Sequence, residues 1–173
     1  MLVAMAGTLS EWLDRLTFAD RSAEQVTALV IAAIIEWARA QGWRVYQRAP
    51  SVMRLPPPYE QQHSVIDVAC ARPTGPPLVI EVDRTDRQRT IDKLLAEAGE
   101  GRVPIWVRWG TGKFATPPPP IQLVTVTVSM LNRRYSRRPV RELPPPEHSS
   151  TVIQATEVSL LDPPDLGAGV AER

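Results

Sequence analysis

Two carboxylates stand two residues apart in the run LVIEVD at 78–83, and a third, Asp67, interrupts SVIDVAC at 64–70. Both runs are rich in β-branched residues, which predicts strands. Side chains alternate faces along a strand, so Glu81 and Asp83 project the same way, roughly 6.6 Å apart, while Ile80 and Val82 project the other way. The short turn ARPTGPP between the runs predicts a hairpin, and a hairpin sets Asp67 beside the strand of Glu81. Strand interiors disfavour aspartate, so acids breaking two apolar strands need an explanation. One is an antiparallel face open to water. The other is a hard divalent cation, Mg²⁺ or Mn²⁺, held by one or two carboxylates together with waters and a substrate phosphate. Such an ion polarises a phosphoryl oxygen and acidifies an attacking water. Three acids on two paired strands favour the second explanation.

The elements that must position these acids are legible around them. Ser22 and Gln25 form a capping-box pattern, and Val26, Leu29, Val30, Ala33, Ile34 and Trp37 then recur at helical spacing until Gly42. A shorter helix is predicted from Ser10 to about Phe18, capped by Ser10. Trp43–Arg48 alternates and ends at Pro50, giving a first strand ahead of the two acid-bearing ones. A helix over about 90–98, stopped by Gly99 and Gly101, leads into a strand at Val103–Trp109, and a fifth strand is predicted over Ile121–Ser129. The order is α-β-β-β-α-β with one further strand. A hairpin followed by a strand-helix-strand unit makes an α/β fold with a mixed central sheet flanked by helices. Residues 21 to about 130 form this domain, preceded by a helical extension over 1–20 and followed by a tail over 131–173, Arg-rich and then Pro-rich and acidic.

Asp67, then Glu81 on the next strand, within that order, resembles the PD-(D/E)XK (restriction-endonuclease-like) nuclease superfamily over about residues 21–109. The resemblance implies a restriction-endonuclease-like core and metal-dependent hydrolysis of phosphodiesters in DNA. It implies that Asp67, Glu81 and the Val82 carbonyl hold Mg²⁺ or Mn²⁺. The family motif is Asp, a gap, then Glu-x-Lys; here the lysine position is taken by Asp83, which cannot supply positive charge. Branches of the superfamily place the lysine on the following helix, and Lys93, one of two lysines beside 18 arginines, stands there. Asp83 is then left to hold a second cation or to position water. Members often carry a metal-facing glutamate on the first helix, for which Glu36 is the candidate.

Arg84, Arg87 and Arg89 follow the acid strand and suit phosphate oxygens. RRYSRRPVR at 133–141 sets Arg133, Arg134, Arg137 and Arg138 around Tyr135, a composition suited to a nucleic-acid backbone and a stacked base, and equally to a solvated connector. The net charge of +1 conceals a cationic body and a tail over 143–173 with five acids against one arginine. The lone Cys70 excludes an internal disulfide, and no Cys/His spacing suits zinc; Cys70 is expected in the core of a cytoplasmic protein. No signal-peptide pattern opens the chain, and its longest apolar run, 28–35, is too short to span a bilayer. DNA is the expected partner, with a protein partner on the Pro-rich tail as a further expectation and homo-oligomerisation open. Two other readings stay beside the nuclease: a catalytically inactive nuclease-like fold serving as a nucleic-acid-binding or assembly module, and another metal-dependent phosphate-handling enzyme.

Overall fold

The helix predicted from the capping box forms as Ala23–Ala40 (α2). The Ser22 side chain accepts from the Gln25 amide at 3.3 Å, and the Gln25 side chain accepts from the Ser22 amide at 2.9 Å. Each terminal amide thereby gains a partner that the helix cannot supply. Val26, Val30 and Ile34 then bury completely at four-residue spacing. Each such burial contributes roughly 1.5–3 kcal/mol.

The computed structural model of the chain describes residues 2–138. These fall within one compact unit, Met1–Arg141. Two further helices, Leu2–Leu13 (α1) and Gln88–Gly99 (α3), join α2. Arg44–Arg54 (β2), His63–Ala71 (β3), Leu78–Asp83 (β4), Val103–Gly110 (β5) and Gln122–Thr127 (β6) form a five-stranded sheet in the order β2-β3-β4-β5-β6. The β2-β3-β4 pairings are antiparallel and the β4-β5-β6 pairings parallel, so the sheet is mixed as expected. A main core of α1, α2 and one sheet face includes Val68, Cys70, Ile80 and Val107. A smaller core under α3 holds Ile66, Val79, Leu94 and Trp106. Among the described residues no helix is long and apolar enough to cross a membrane.

Three expectations change. The N-terminal helix runs over Leu2–Leu13 rather than 10–18, with Ser10 inside it, because Leu9 and Leu13, four apart, lock into the core. The first strand continues through Pro50 to Arg54; β2 is a sheet edge, where a missing amide hydrogen breaks no ladder. The largest change is a second sheet, β1-β8-β7, built from Phe18–Arg21 (β1), Ser129–Leu131 (β7) and Arg134–Arg137 (β8). It joins residues assigned to the N-terminal extension and to the Arg-rich tail to the body of the domain. The Pro-rich and acidic part of the tail, from 139 onward, lies outside the described residues, as does the expectation of a partner docking there.

Candidate active site

The pairing of β3 with β4 stops at Val68 and Ile80, one step short of Asp67 and Glu81. Beyond that point side chains replace the ladder. The Asp67 amide donates to Glu81 Oε1 at 3.2 Å, and the Val82 amide donates to Asp67 Oδ2 at 2.9 Å. The chain also rotates here. Ile66 packs under α3 while Val68 and Cys70 pack in the main core, although residues two apart share a face in a regular strand. Across the ladder Gln47 and Ala49 pair with Val68 and Ile66, and Arg48 between them adopts a φ of 51°, a left-handed conformation costing of order 1 kcal/mol. Asp67 therefore sits where two strands separate and twist, which frees its carboxylate from the regular face of the sheet.

Lys93 reaches this gap from α3. Its ammonium lies 2.8 Å from Glu81 Oε2 and donates to the Val65 carbonyl at 2.6 Å. Lys93 and Glu81 are both buried, at 8% and 5% exposure, so the pair is shielded from bulk water. Lys93 pairs directly with Glu81, and its charge also acts on the neighbouring Asp67. Burial, and then the neighbouring Asp67, push the Glu81 carboxyl up from 4.5 to about 7. Burial also raises Asp67, against the pull of the Val82 amide and Lys93.

Asp83 is occupied elsewhere. Its Oδ2 accepts from the Thr90 hydroxyl at 2.8 Å and from Trp106 Nε1 at 3.0 Å, and its Oδ1 is 3.6 Å from Arg87 Nε. Glu81 and Asp83 leave β4 on one face as expected, and Asp83, while lining the same cleft, anchors the first turn of α3 through Thr90. By fixing α3 it positions Lys93, one turn further along.

Glu36 corrects the expectation for the first helix. It is exposed and lies beside Trp12, Arg15 and Leu16 of the α1 region, away from the carboxylates. The cleft meets α2 at its other end, through Ala23, Glu24 and Thr27. Twelve residues of helix separate Glu36 from Glu24, about 18 Å. Glu24 is therefore the acid that α2 presents at the cleft. Bonds from its own backbone amide and from Ser22 hold its carboxyl below the ordinary range. Sequence gave no cue to it, because an acid in the first turn of a helix is what the helix dipole already favours. Thr27 accepts from Trp109 Nε1 at 3.1 Å, which ties the start of α2 to β5 at the cleft.

The cleft has a volume of about 520 Å³. Arg84, Arg87 and Arg89 line it and are exposed, giving a cationic rim above the buried Glu81 and the half-buried Asp67. The tail arginines divide. Arg134 pairs with Asp20, and Arg137, buried, pairs with Asp14 at 2.9 Å. Both pairs help hold the small sheet, Arg134 at the surface and Arg137 from a buried position. Arg133 and Arg138 are exposed.

Among the described residues no three Asp, Glu, His or Cys side chains gather into a cation cage. The donor set nevertheless fits a hard cation that keeps most of its waters, since two carboxylates suffice for Mg²⁺ when water and phosphate supply the rest. The half-buried Asp67 lies beside the buried Glu81, and the repulsion between them that helps raise the Glu81 carboxyl is what a bound cation would relieve. The contact that Val82 makes with Asp67 is through its amide hydrogen, so a ligand role rests on its carbonyl alone. Compared with protein-family models, curated proteins and solved structures, the chain matches none of them.

Proposed function

We propose that the chain is a metal-dependent phosphodiesterase acting on DNA, with a restriction-endonuclease-like core. The observation that supports this most directly is the meeting of Asp67, Glu81 and Lys93, from three separate elements, at the gap where β3 and β4 part. In this reading Asp67, Glu81 and the Val82 carbonyl hold Mg²⁺ or Mn²⁺, and Glu24 stands close enough to the cleft to accept from a bound water. The cation would supply Lewis-acid polarisation of the phosphate and a more acidic water. Lys93 replaces the family's strand lysine, stabilising charge on a phosphate oxygen once a cation has taken over Glu81. Arg84, Arg87 and Arg89 orient the backbone through charge-assisted hydrogen bonds. Asp83 acts through Thr90 as a positioning residue.

The test is cleavage of single- and double-stranded DNA by the native chain with Mg²⁺ or Mn²⁺, beside Glu81→Ala and Lys93→Ala. Cleavage lost in both variants supports the reading. If the native chain never cleaves, the reading fails, and the second one gains: a nuclease-like fold that binds nucleic acid without cutting it. The lysine missing from the strand position that Asp83 takes favours that second reading.

A further inference from the structure

Beside the carboxylate cleft lies a second cavity of about 440 Å³. Arg84 lines both, so the two are contiguous across one guanidinium. The second cavity is framed by Arg84–Asp86, which follow β4, and by the Arg108–Phe114 stretch that ends β5. Ligands of open parallel sheets lie at such carboxyl ends of adjacent strands.

Its chemistry is cationic and aromatic. Asp86 is paired with Arg108, while Arg84 and Lys113 have no ion pair among the described residues. Arg84 is held only by the Tyr135 hydroxyl, at 2.8 Å. Arg108 is 3% exposed and lies against two rings, 4.7 Å from the Trp106 centroid and 5.6 Å from that of Phe114. Its Nε is buried without a hydrogen-bond partner among the described residues. A buried donor left unmet beside a cavity calls for an acceptor. Phe114 is half-buried, and Met130, 53% exposed, adds an apolar wall.

We propose that this cavity binds the nucleotide adjoining the scissile phosphate of an unpaired DNA strand, its base against Phe114 and Met130 and its phosphate between Arg84 and Lys113. The position next to a scissile phosphate rests on the nuclease reading, whereas the single-strand site itself does not. An anion with a flat apolar face matches two unpaired cations beside an accessible ring. A base inside a duplex has both faces stacked and offers none to a ring, whereas every unpaired base does. The preferred substrate would then carry a single-stranded overhang or flap across the cleft.

The experiment is fluorescence anisotropy with the full chain in EDTA, so that nothing is cut. The probes are a labelled single strand of about 12 nucleotides and the blunt duplex of the same sequence. The native chain is expected to prefer the single strand. Phe114→Ala should weaken single-strand binding about tenfold or more while leaving the duplex nearly unchanged. Phe114→Leu keeps apolar cover over Arg108 and should bind as poorly as Phe114→Ala; recovery of native affinity in it would overturn the stacking role. Lys113 is exposed, so Lys113→Ala leaves folding intact; it should weaken binding and reduce the salt dependence by about one phosphate contact. Single-strand affinity unchanged in Phe114→Ala and Lys113→Ala, or equal native affinity for strand and duplex, would overturn the proposal. A parallel Mn²⁺ cleavage assay separates it from the nuclease reading. Cleavage with unchanged binding in the variants removes the cavity alone. Binding losses without any native cleavage remove the nuclease and leave a single-strand site.

Discussion

Glu81 gives the most quantitative handle on the site. Its carboxyl titrates near 7 in the folded chain against an ordinary 4.5, chiefly through burial and then through Asp67. The folded state therefore holds a proton on Glu81 that the unfolded chain has already lost. Between those two values the unfolded chain binds fewer protons, so stability falls as pH rises. The contribution of this group is fully present below about pH 4.5 and is lost as pH climbs through about 7. The displacement corresponds to about 3 kcal/mol. For a folded body of this size that is a fall in Tm of about 10 °C. Glu81→Gln keeps an oxygen to accept from the Asp67 amide but has no proton to release, so its melting curve should lack this slope. The assay is thermal unfolding by circular dichroism in EDTA from pH 5 to 8.5, native against variant. The native chain should lose ground steadily towards pH 8, and the variant should stay nearly level. On the proposed reading Mn²⁺ would compete with the proton for the same carboxylate, so added Mn²⁺ should protect the native chain more as pH rises. Native and variant curves that run parallel across the range would refute the argument, because Glu81 would then not be titrating in a buried site.

Lys93→Met removes the ammonium that shares Glu81 with the cation; DNA cleavage should fall about 10²–10³-fold while calorimetric Mn²⁺ affinity holds or improves, and a collapse in that affinity would oppose the assignment. Asp83→Asn keeps the shape but not the charge that gathers Thr90, Trp106 and Arg87; it should cost about 1–2 kcal/mol by thermal melt and leave Mn²⁺ affinity nearly native. Glu36→Ala should change stability by less than about 0.5 kcal/mol in a thermal melt and leave cleavage intact, whereas Glu24→Ala should lower Mn²⁺-dependent cleavage; the opposite pattern would put the other end of α2 at the site.

Much of the sheet was legible because its strands are apolar runs punctuated by proline and glycine, and because a turn as short as ARPTGPP leaves β3 and β4 little choice but to pair. That pairing is what made Asp67 and Glu81 neighbours on paper. The small sheet was not legible, since FADR, SML and RYSR are only three or four residues long and show no sustained alternation. The β7–β8 turn uses Asn132 and Arg133, and the irregularity within β1 uses Asp20, at positive φ where no glycine marks the bend. What holds them is long-range: Arg134 with Asp20 and Arg137 with Asp14, pairs that no local pattern announces. The same limit explains Glu36. Periodicity fixes which stripe of a helix is buried, but which end of the helix meets the ends of the strands is decided by tertiary packing. The face of Asp83 follows from strand alternation, but its Trp106 partner does not, because Trp106 reaches it from a strand 23 residues away.

The β1–β8 ladder joins segments about 116 residues apart, as the Asp20–Ser136 bond shows. Closing so wide a loop has a large entropic cost, set against few contacts, and the cost must be met before those contacts form. The main sheet with α2 and α3 is accordingly the part expected to assemble first, with the small sheet fastening last and loosening first. Tyr135 rides on that late-fastening strand and holds Arg84, the guanidinium shared by both cavities. Transient release of β8 would therefore unclip Arg84 without disturbing Asp67 or Glu81. Amide hydrogen exchange faster at 134–137 than in β4 or β5 would be its signature, and the rim of the cleft would be adaptable while its floor stays rigid.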